Sequence, residues 1–145
     1  MLIKDVMTPA PICCKPTDTL DVVAKVMADH DCGVIPICET TKVLGVITDR
    51  DITCRAVATG RKPSDIRVAD VMTKKVFTVG QDQDVQAAID LMEEIQVRRL
   101  PVVNAAGDIV GIVAPSDLAP SFASMDVNDF LLRVSYWTRK AIPVA

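Results

Sequence analysis

The stretch GVITDRDI at residues 45–52 predicts a strand that passes directly into a helix. Glycine and β-branched apolar residues open the stretch and favour a strand, and Thr48 follows where a helix would begin. Threonine is a preferred N-cap residue, and an acidic side chain three positions later, here Asp51, fits a capping-box pattern. The stretch therefore predicts a strand-to-helix junction capped by Thr48.

The same junction fits a second interpretation, the binding of a phosphate group. The first backbone N–H groups of a helix lack partners within the helix and lie at the positive end of its dipole, so they favour anions. In this interpretation Thr48 hydrogen-bonds a phosphate or sugar oxygen, and Asp51 accepts hydrogen bonds from ribose hydroxyls. The stretch alone leaves both interpretations open.

The chain contains an internal repeat, so the junction occurs twice. Three pairs of segments recur in the same order: 4–8 with 69–73, 19–38 with 84–103, and 44–52 with 110–118. The first two pairs are shifted by 65 positions and the third by 66. We expect a first repeat at 1–62, a second repeat at 63–123 and a helical tail at 124–145.

Each repeat has the pattern of a strand, a helix, two strands and a second helix, which predicts an α+β fold. The first helix of each repeat begins after Thr19 or Asp84 and carries one apolar stripe. The stripe residues are Leu20, Val23, Ala24 and Met27 in the first repeat and Val85, Ala88, Ile89 and Met92 in the second. The next two apolar runs are joined by a short polar loop and predict a hairpin. One repeat is too small to bury a secure core alone, so we expect two pseudo-twofold-related units packed sheet to sheet.

The second helix of the first repeat is expected from Asp49 to about Thr59, ended by Gly60. The tail predicts a further helix capped by Asp126. Its shared face would carry Val127, Phe130, Leu131, Val134 and Trp137, and Tyr136 adds another aromatic side chain. This helix either closes the core or contributes to a subunit interface, where aromatic residues are enriched.

Composition excludes several classes of function. The chain has 145 residues with a net charge of −3, which argues against nucleic-acid coating and against binding to an anionic membrane. The chain shows neither an apolar run of membrane-spanning length nor a signal-peptide pattern at its start, so we expect a cytoplasmic protein. The chain has one histidine, and its five cysteines include no C-x-x-C pair, so we expect no metal site. It also shows no nucleophile–base pattern, so we expect no catalytic activity.

Cys13 and Cys38 are a candidate redox pair. They lie on strands that a strand–helix–strand crossover would place parallel and adjacent. In a cytosolic protein the pair is either reduced and buried, forms a redox-sensitive disulfide, or binds an adventitious metal.

Three features of the chain carry a family resemblance: the repeated DVMT segments, the helices followed by VIPIC or RLPVV, and the G-h-h-T-x-x-D pattern, where h is apolar. Together they resemble a tandem pair of cystathionine-β-synthase-type (CBS) domains, a Bateman module. The resemblance covers residues 1–121 and implies paired βαββα units that assemble as homodimers. It implies a regulatory module that needs no cofactor and binds AMP, ADP, ATP or S-adenosylmethionine in the cleft between the repeats. The regulated protein is unknown. The chain is also similar to small stand-alone bacterial members related to hypoxic response proteins, for which an interaction role without a nucleotide, with redox-sensitive cysteines, is the alternative.

Carrying the family pattern onto the first repeat assigns a phosphate-side hydroxyl to Thr48 and a ribose-binding carboxylate to Asp51. Arg50 is close enough in sequence to pair with a phosphate. Ile35 and Pro36 would border the base, with backbone groups reading its edge.

In the second repeat Ala114 and Pro115 replace the threonine and the aspartate that follows it. Ser116 and Asp117 remain as candidate ligand-binding residues. Arg98 and Arg99 are either solvated or replace the lost phosphate donors. The retention of Asp117 without a threonine partner favours a ligand role for the aspartate over a purely capping role. We expect the first repeat to hold the better-formed site.

Overall fold

The computed structural model describes residues 1–122 and 126–140, with side chains as far as Val134. Its α-helices are α1 (Ile3–Val6), α2 (Leu20–Asp29), α3 (Asp49–Arg55), α4 (Val85–Ile95), α5 (Pro115–Leu118) and α6 (Val127–Lys140). Its strands are β1 (Thr8–Pro9), β2 (Val34–Glu39), β3 (Lys42–Thr48), β4 (Val79–Gly80), β5 (Leu100–Val103) and β6 (Ile109–Val113). Short 3₁₀ turns span Val57–Thr59, Pro63–Asp65, Val68–Asp70 and Ala119–Ser121. The α+β class and the C-terminal helix are confirmed.

The chain divides into two compact units whose bounds differ from those of the repeats. The first unit is Pro11–Val76, and the second unit joins Met1–Ala10 to the described residues from Phe77 on. Each DVMT segment therefore packs with the hairpin of the other repeat. Ile3 belongs to the core of the second unit, and its equivalent Val68 belongs to the core of the first.

In the first unit the hairpin β2–β3 pairs on both sides with single residues. Thr73 exchanges two backbone hydrogen bonds with Val46, at 2.9 and 3.0 Å, on the β3 side. Cys14 pairs in parallel with Ile37 on the β2 side. The core beneath this sheet is aliphatic, with Leu20, Val23, Ile35, Ile37, Ile47, Ile66 and Val68 fully buried.

The second unit has the same layout in a four-stranded sheet of order β1-β6-β5-β4. The β1–β6 and β5–β6 pairs are antiparallel, and β4–β5 is parallel. All four predicted stripe residues of α4 are buried, as are the stripe residues of α2 except the partly buried Ala24. Helical periodicity in the sequence therefore identified the buried face of both helices.

Glycine is required where each DVMT segment crosses a hairpin. A Cβ atom on Gly45 would lie 2.9 Å from the carbonyl oxygen of Thr73, and one on Gly111 would lie 2.9 Å from that of Thr8. Backbone atoms cannot yield at such distances as a flexible side chain can. In both units, the glycine of the repeated motif thus allows the DVMT backbone to lie close against the hairpin.

Two helices differ from or extend the predictions. The helix predicted from Asp49 to Thr59 ends at Arg55, because Ala56 leaves the helical region with φ −122° and ψ −67°. A 3₁₀ turn follows, and Gly60 ends it in the left-handed conformation, as predicted. Helix α6 begins after Asp126, whose carboxylate accepts a hydrogen bond from the N–H of Asn128 at 2.9 Å.

Helix α6 contributes to the core of the second unit. Phe130 and Val134 are 1% and 2% exposed, and the rings of Phe130 and Phe122 lie 5.1 Å apart. Their burial supports core closure for this part of the helix. The side chains of Tyr136 and Trp137 lie outside the described residues. None of the helices within the described ranges has the length and hydropathy that crossing a membrane requires.

Candidate functional site

The junction after β3 forms a complete capping box. Thr48 has extended backbone angles, and its Oγ1 accepts a hydrogen bond from the N–H of Asp51 at 3.0 Å. The carboxylate of Asp51 accepts one from the N–H of Thr48, also at 3.0 Å. The two residues predicted to bind a phosphate and a ribose thus satisfy each other and fix the first turn of α3.

The second carboxylate oxygen of Asp51 makes a longer contact than the oxygen that caps the helix. Its Oδ1 lies 3.6 Å from Nε of Arg55, and the side chain is 15% exposed. Nη1 of Arg55 also donates to the carbonyl oxygen of Val71 at 2.9 Å. Because each carboxylate oxygen can accept two hydrogen bonds, Asp51 retains acceptor capacity beyond its capping role.

Asp49 and Arg50 are exposed at the start of α3. Oδ1 of Asp49 accepts a hydrogen bond from the N–H of Arg50 at 2.8 Å. The N–H of Asp49 donates to the carbonyl oxygen of Gly33 at 3.0 Å. A Cβ atom on Gly33 would lie 3.0 Å from Oδ2 of Asp49, so this carboxylate lies over the glycine.

Ile35 and Pro36 are both buried, and the Ile35 side chain is fully enclosed in the core of the first unit. The carbonyl oxygen of Pro36 accepts a hydrogen bond from the N–H of Cys14 at 3.1 Å. Proline has no N–H to donate. The structure thus places these two residues within the sheet rather than among the exposed polar groups of the junction.

The second unit shows why Asp117 persists without a threonine. Its Oδ2 accepts a hydrogen bond from the N–H of Ala114 at 2.8 Å, and its own N–H donates to the carbonyl oxygen of Ala114 at 3.0 Å. The carboxylate half of the capping box therefore needs only a backbone N–H at the N-cap position. Capping alone explains the retention of Asp117, so this retention does not distinguish a capping role from a ligand role.

Arg98 and Arg99 precede β5 and are exposed. The pairing of Leu100 with Val113 brings them to the same end of the hairpin as Ala114 and Pro115. Within the described part of the chain neither arginine forms an ion pair. Ser116, the next residue of α5, is also exposed.

The contact between Gly33 and Asp49 was missed by sequence reasoning. The sequence does carry a signal for this contact, since both of its residues are replaced in the second repeat. Arg98 replaces Gly33, and Pro115 replaces Asp49. A comparison of the repeats position by position, extended to residues that face each other across the hairpin, would have found it.

Cys13 and Cys38 are both free thiols, and each affects the pKa of the other. A hydrogen bond from the Cys38 thiol lowers the pKa of Cys13, and the same hydrogen bond, together with burial, raises that of Cys38. Burial raises the pKa of Cys14 to about 11. No group of three or more His, Cys, Asp or Glu side chains within residues 1–122 and 126–140 could hold a metal ion.

Comparisons with known proteins place these features in a family. The CBS domain model matches residues 3–56 and 68–123. The uncharacterized protein MK0525 of Methanopyrus kandleri is 34% identical over 79% of this chain, which spans 57% of that protein. Hypoxic response protein 1 of Mycobacterium tuberculosis is 33% identical over 80% of this chain and 81% of that protein.

Two solved structures share the fold. Hypoxic Response Protein I with two coordinated zinc ions matches with a TM-score of 0.75 and 32% identity over 83% of this chain and 98% of that one. The CBS domain pair of protein MJ0100, in complex with 5′-methylthioadenosine and S-adenosylmethionine, matches with a TM-score of 0.74 and 28% identity. That match covers 85% of this chain and all of the other. The protein belongs to the CBS domain family and contains two CBS domains.

Proposed function

We propose that the protein is a non-catalytic regulatory module that binds an adenosine-containing ligand such as AMP, ADP, ATP or S-adenosylmethionine. The observation that carries this proposal is the ligand pair held by the CBS domain pair of MJ0100, which matches 85% of this chain at 28% identity. Both of those ligands contain adenosine, so the adenosine moiety is the common chemistry.

The exposed end of each junction supplies groups that suit such a ligand. Arg50 in the first repeat and Arg98 and Arg99 in the second are exposed and form no ion pair within the described residues. A guanidinium group offers a forked pair of donors that matches a phosphate. We assign these arginines to the phosphate side of the ligand, with Ser116 as a further donor in the second repeat.

Thr48, Asp51 and Asp117 have a double role in this proposal. They cap their helices, and the acceptor capacity left on the two carboxylates serves the ribose hydroxyls. Ile35 and Pro36 support the site through the sheet on which the junction is built, since both are buried.

Adenine nucleotides and S-adenosylmethionine are intracellular metabolites, so we place the module in the cytoplasm. We propose that it is a homodimer that transmits the bound state of its sites to a partner protein. Measuring the molar mass of the full chain by light scattering, with and without ligand, tests the dimer, and a monomer under both conditions would contradict it.

Calorimetric titration of the full chain with AMP, ATP and S-adenosylmethionine tests ligand binding. Saturable heat with at least one ligand supports the proposal, and Arg50→Gln should weaken binding at the first repeat. Arg61→Gln is the matched control, because Arg61 is also exposed and forms no ion pair with the residues that the structure describes. Absence of both heat and a thermal shift with every ligand would contradict the proposal.

A second candidate is a stand-alone structural or interaction protein that binds no nucleotide. The mutual hydrogen bonds of Thr48 and Asp51 favour it, since they explain both residues without a ligand. The thiols of Cys13 and Cys38 would then be the redox-sensitive groups of the protein. Titration of thiols after mild oxidation tests this, and five free thiols in the native, oxidised protein would contradict it.

A further inference from the structure

The segment Met1–Ala10 belongs to the second unit, although it precedes the whole of the first unit in the chain. Ile3 is fully buried in the core of the second unit, and β1 pairs with β6 of its sheet. The N–H of Lys4 donates to the carbonyl oxygen of Gln81 at 2.9 Å. The side-chain Nζ of Lys4 lies 2.7 Å from Oδ1 of Asp82. The segment therefore packs onto the second unit through core, sheet and loop contacts of its own.

Ala10 is the hinge at which the chain leaves this segment for the first unit, which begins at Pro11. The φ angle of Ala10 is 50°, in the left-handed region that residues other than glycine rarely adopt. The proline that follows adds to the strain, because a residue before proline is restricted to extended angles. The N–H of Ala10 donates to the carbonyl oxygen of Val110 at 3.2 Å, so the strained residue is still bonded to β6.

The sequence around the hinge favours an extended chain over this bend. Pro9 and Pro11 flank Ala10, and proline-rich stretches favour the polyproline II conformation, in which every φ is negative. With Ala10 extended, the segment can no longer follow the path by which it packs onto its own second unit. Packing onto the second unit of another chain would keep the contacts of the segment and release the strain at the hinge.

We propose that the protein dimerises by exchanging the segment Met1–Ala10 between two copies, an inference that rests on the homodimer of the proposed function and specifies its contacts. Each chain supplies Ile3 to the core, and β1 to the sheet, of the other chain's second unit. The exchange is reciprocal, so two copies close into a dimer with both segments packed.

The hinge decides the balance between the closed monomer and the exchanged dimer. Both states contain the same contacts between the segment and the second unit, so these contacts cancel in the comparison. Association costs translational and rotational entropy, which favours the monomer. The left-handed Ala10 is present only in the closed chain, so its strain favours the dimer. Ala10 and Pro11 therefore control how readily the segment is exchanged.

Isotope-coded cross-linking of the full chain tests the exchange. A carbodiimide joins an amine to a neighbouring carboxylate, and the side chains of Lys4 and Asp82 are both accessible, at 44% and 60% exposed. Labelled and unlabelled protein are mixed, unfolded together in urea, refolded and cross-linked. We expect peptides in which Lys4 of one isotope is linked to Asp82 of the other, because the segment of one chain packs onto another. In Lys4→Arg, which a carbodiimide does not couple, these peptides should disappear.

Hinge variants test the balance, with the dimer Kd measured by light scattering over a concentration series. Ala10→Gly relieves the closed monomer, since glycine adopts a positive φ readily. One strained residue corresponds to about tenfold in equilibrium, and each dimer yields two closed monomers, so we expect the dimer Kd to rise by about a hundredfold. Pro11→Ala lifts the restriction on Ala10 and should raise the Kd as well.

Thr40→Gly is the matched control for the hinge variants. It replaces another left-handed residue, with φ 57°, in the turn between β2 and β3, where the chain stays within the first unit. Thr40→Gly should leave the dimer Kd within about twofold of the wild-type value, because the site is independent of the hinge.

The outcomes separate the exchange from the rest of the proposed function. A dimer in which Lys4 links only to Asp82 of the same isotope would overturn the exchange and leave the homodimer intact. An unchanged dimer Kd in both Ala10→Gly and Pro11→Ala would overturn the role of the hinge. A wild-type protein that is monomeric at every concentration would contradict the exchange and the homodimer together, while calorimetric titration would still decide ligand binding.

Discussion

Thr48 and Asp51 hold each other through two hydrogen bonds of 3.0 Å, each from a backbone N–H to the other residue's side-chain oxygen. The same junction in the second unit keeps only the bond to the carboxylate, from Ala114 to Asp117 at 2.8 Å. The carboxylate is thus the common element of the two junctions, and the hydroxyl is the variable one. Both halves of the box satisfy N–H groups that would otherwise lack a partner within the helix.

Substitutions at this junction should lower stability by different amounts. Thr48→Ala removes one capping acceptor and should lower the free energy of unfolding by about 1 kcal/mol. Asp51→Ala also removes the contact with Arg55 and should cost more than Thr48→Ala. Asp51→Asn keeps an acceptor for the Thr48 N–H and is the matched control. Urea unfolding measures the three values, and a smaller loss for Asp51→Ala than for Thr48→Ala would contradict the capping account.

Gly45→Ala should destabilise the first unit by about 1–3 kcal/mol, because the added methyl group would press on the Thr73 carbonyl. Gly80→Ala is the control, since the nearest atom to its Cβ is the flexible Gln83 amide oxygen at 3.4 Å. Thermal and urea unfolding of both variants give the comparison. Equal stability of Gly45→Ala and the wild type would show that the DVMT segment does not cross the hairpin this closely.

Phe130→Ala should lower the free energy of unfolding by about 3–5 kcal/mol, since this ring is buried against Phe122 in the core of the second unit. Leu132→Ala, on the same helix but 62% exposed, should change it by less than about 0.5 kcal/mol. Chemical unfolding of the two variants checks whether α6 is part of the folded unit. Similar small effects for both would contradict its docking.

Alkylation of the cysteines should follow their pKa values. The hydrogen bond from Cys38 lowers the pKa of Cys13, so its thiolate forms at a lower pH than usual and should react early between about pH 7 and pH 9. Cys14, with its pKa raised to about 11, should stay protonated and unreactive there. Peptide mapping after iodoacetamide treatment measures both.

Cys38→Ala removes that hydrogen bond, so the pKa of Cys13 should rise and its alkylation should slow at a given pH. Cys32→Ala is the control. An unchanged pH profile for Cys13 in Cys38→Ala would contradict the thiol–thiol hydrogen bond.

Local patterns predicted the elements of the fold. The stripe from Val85 to Met92 identified the buried face of α4, and the apolar run at Leu100 gave the strand β5 at its observed bounds. These features depend on neighbouring residues alone, so periodicity and β-branched composition suffice. The end of α3 was predicted too late, because Ala56 carries no sequence signal for leaving a helix.

Long-range relationships were less accessible. Nothing within the DVMT segments indicates that each packs with the hairpin of the other repeat, since that depends on where the connecting chain leads. The capping role of Asp117 was also missed, because its partner is a backbone N–H, which every residue except proline supplies. Candidate site residues were therefore chosen by residue type, while their hydrogen-bond partners required the structure.

The central claim is that this CBS domain pair binds adenosine ligands at its two strand-to-helix junctions. Calorimetric titration of the full chain with AMP, ATP and S-adenosylmethionine, beside thermal shifts at the same concentrations, tests it most directly. We expect saturable binding that Arg50→Gln or Arg98→Gln/Arg99→Gln weakens and Arg61→Gln does not. The absence of both binding heat and a thermal shift with all three ligands would contradict this claim.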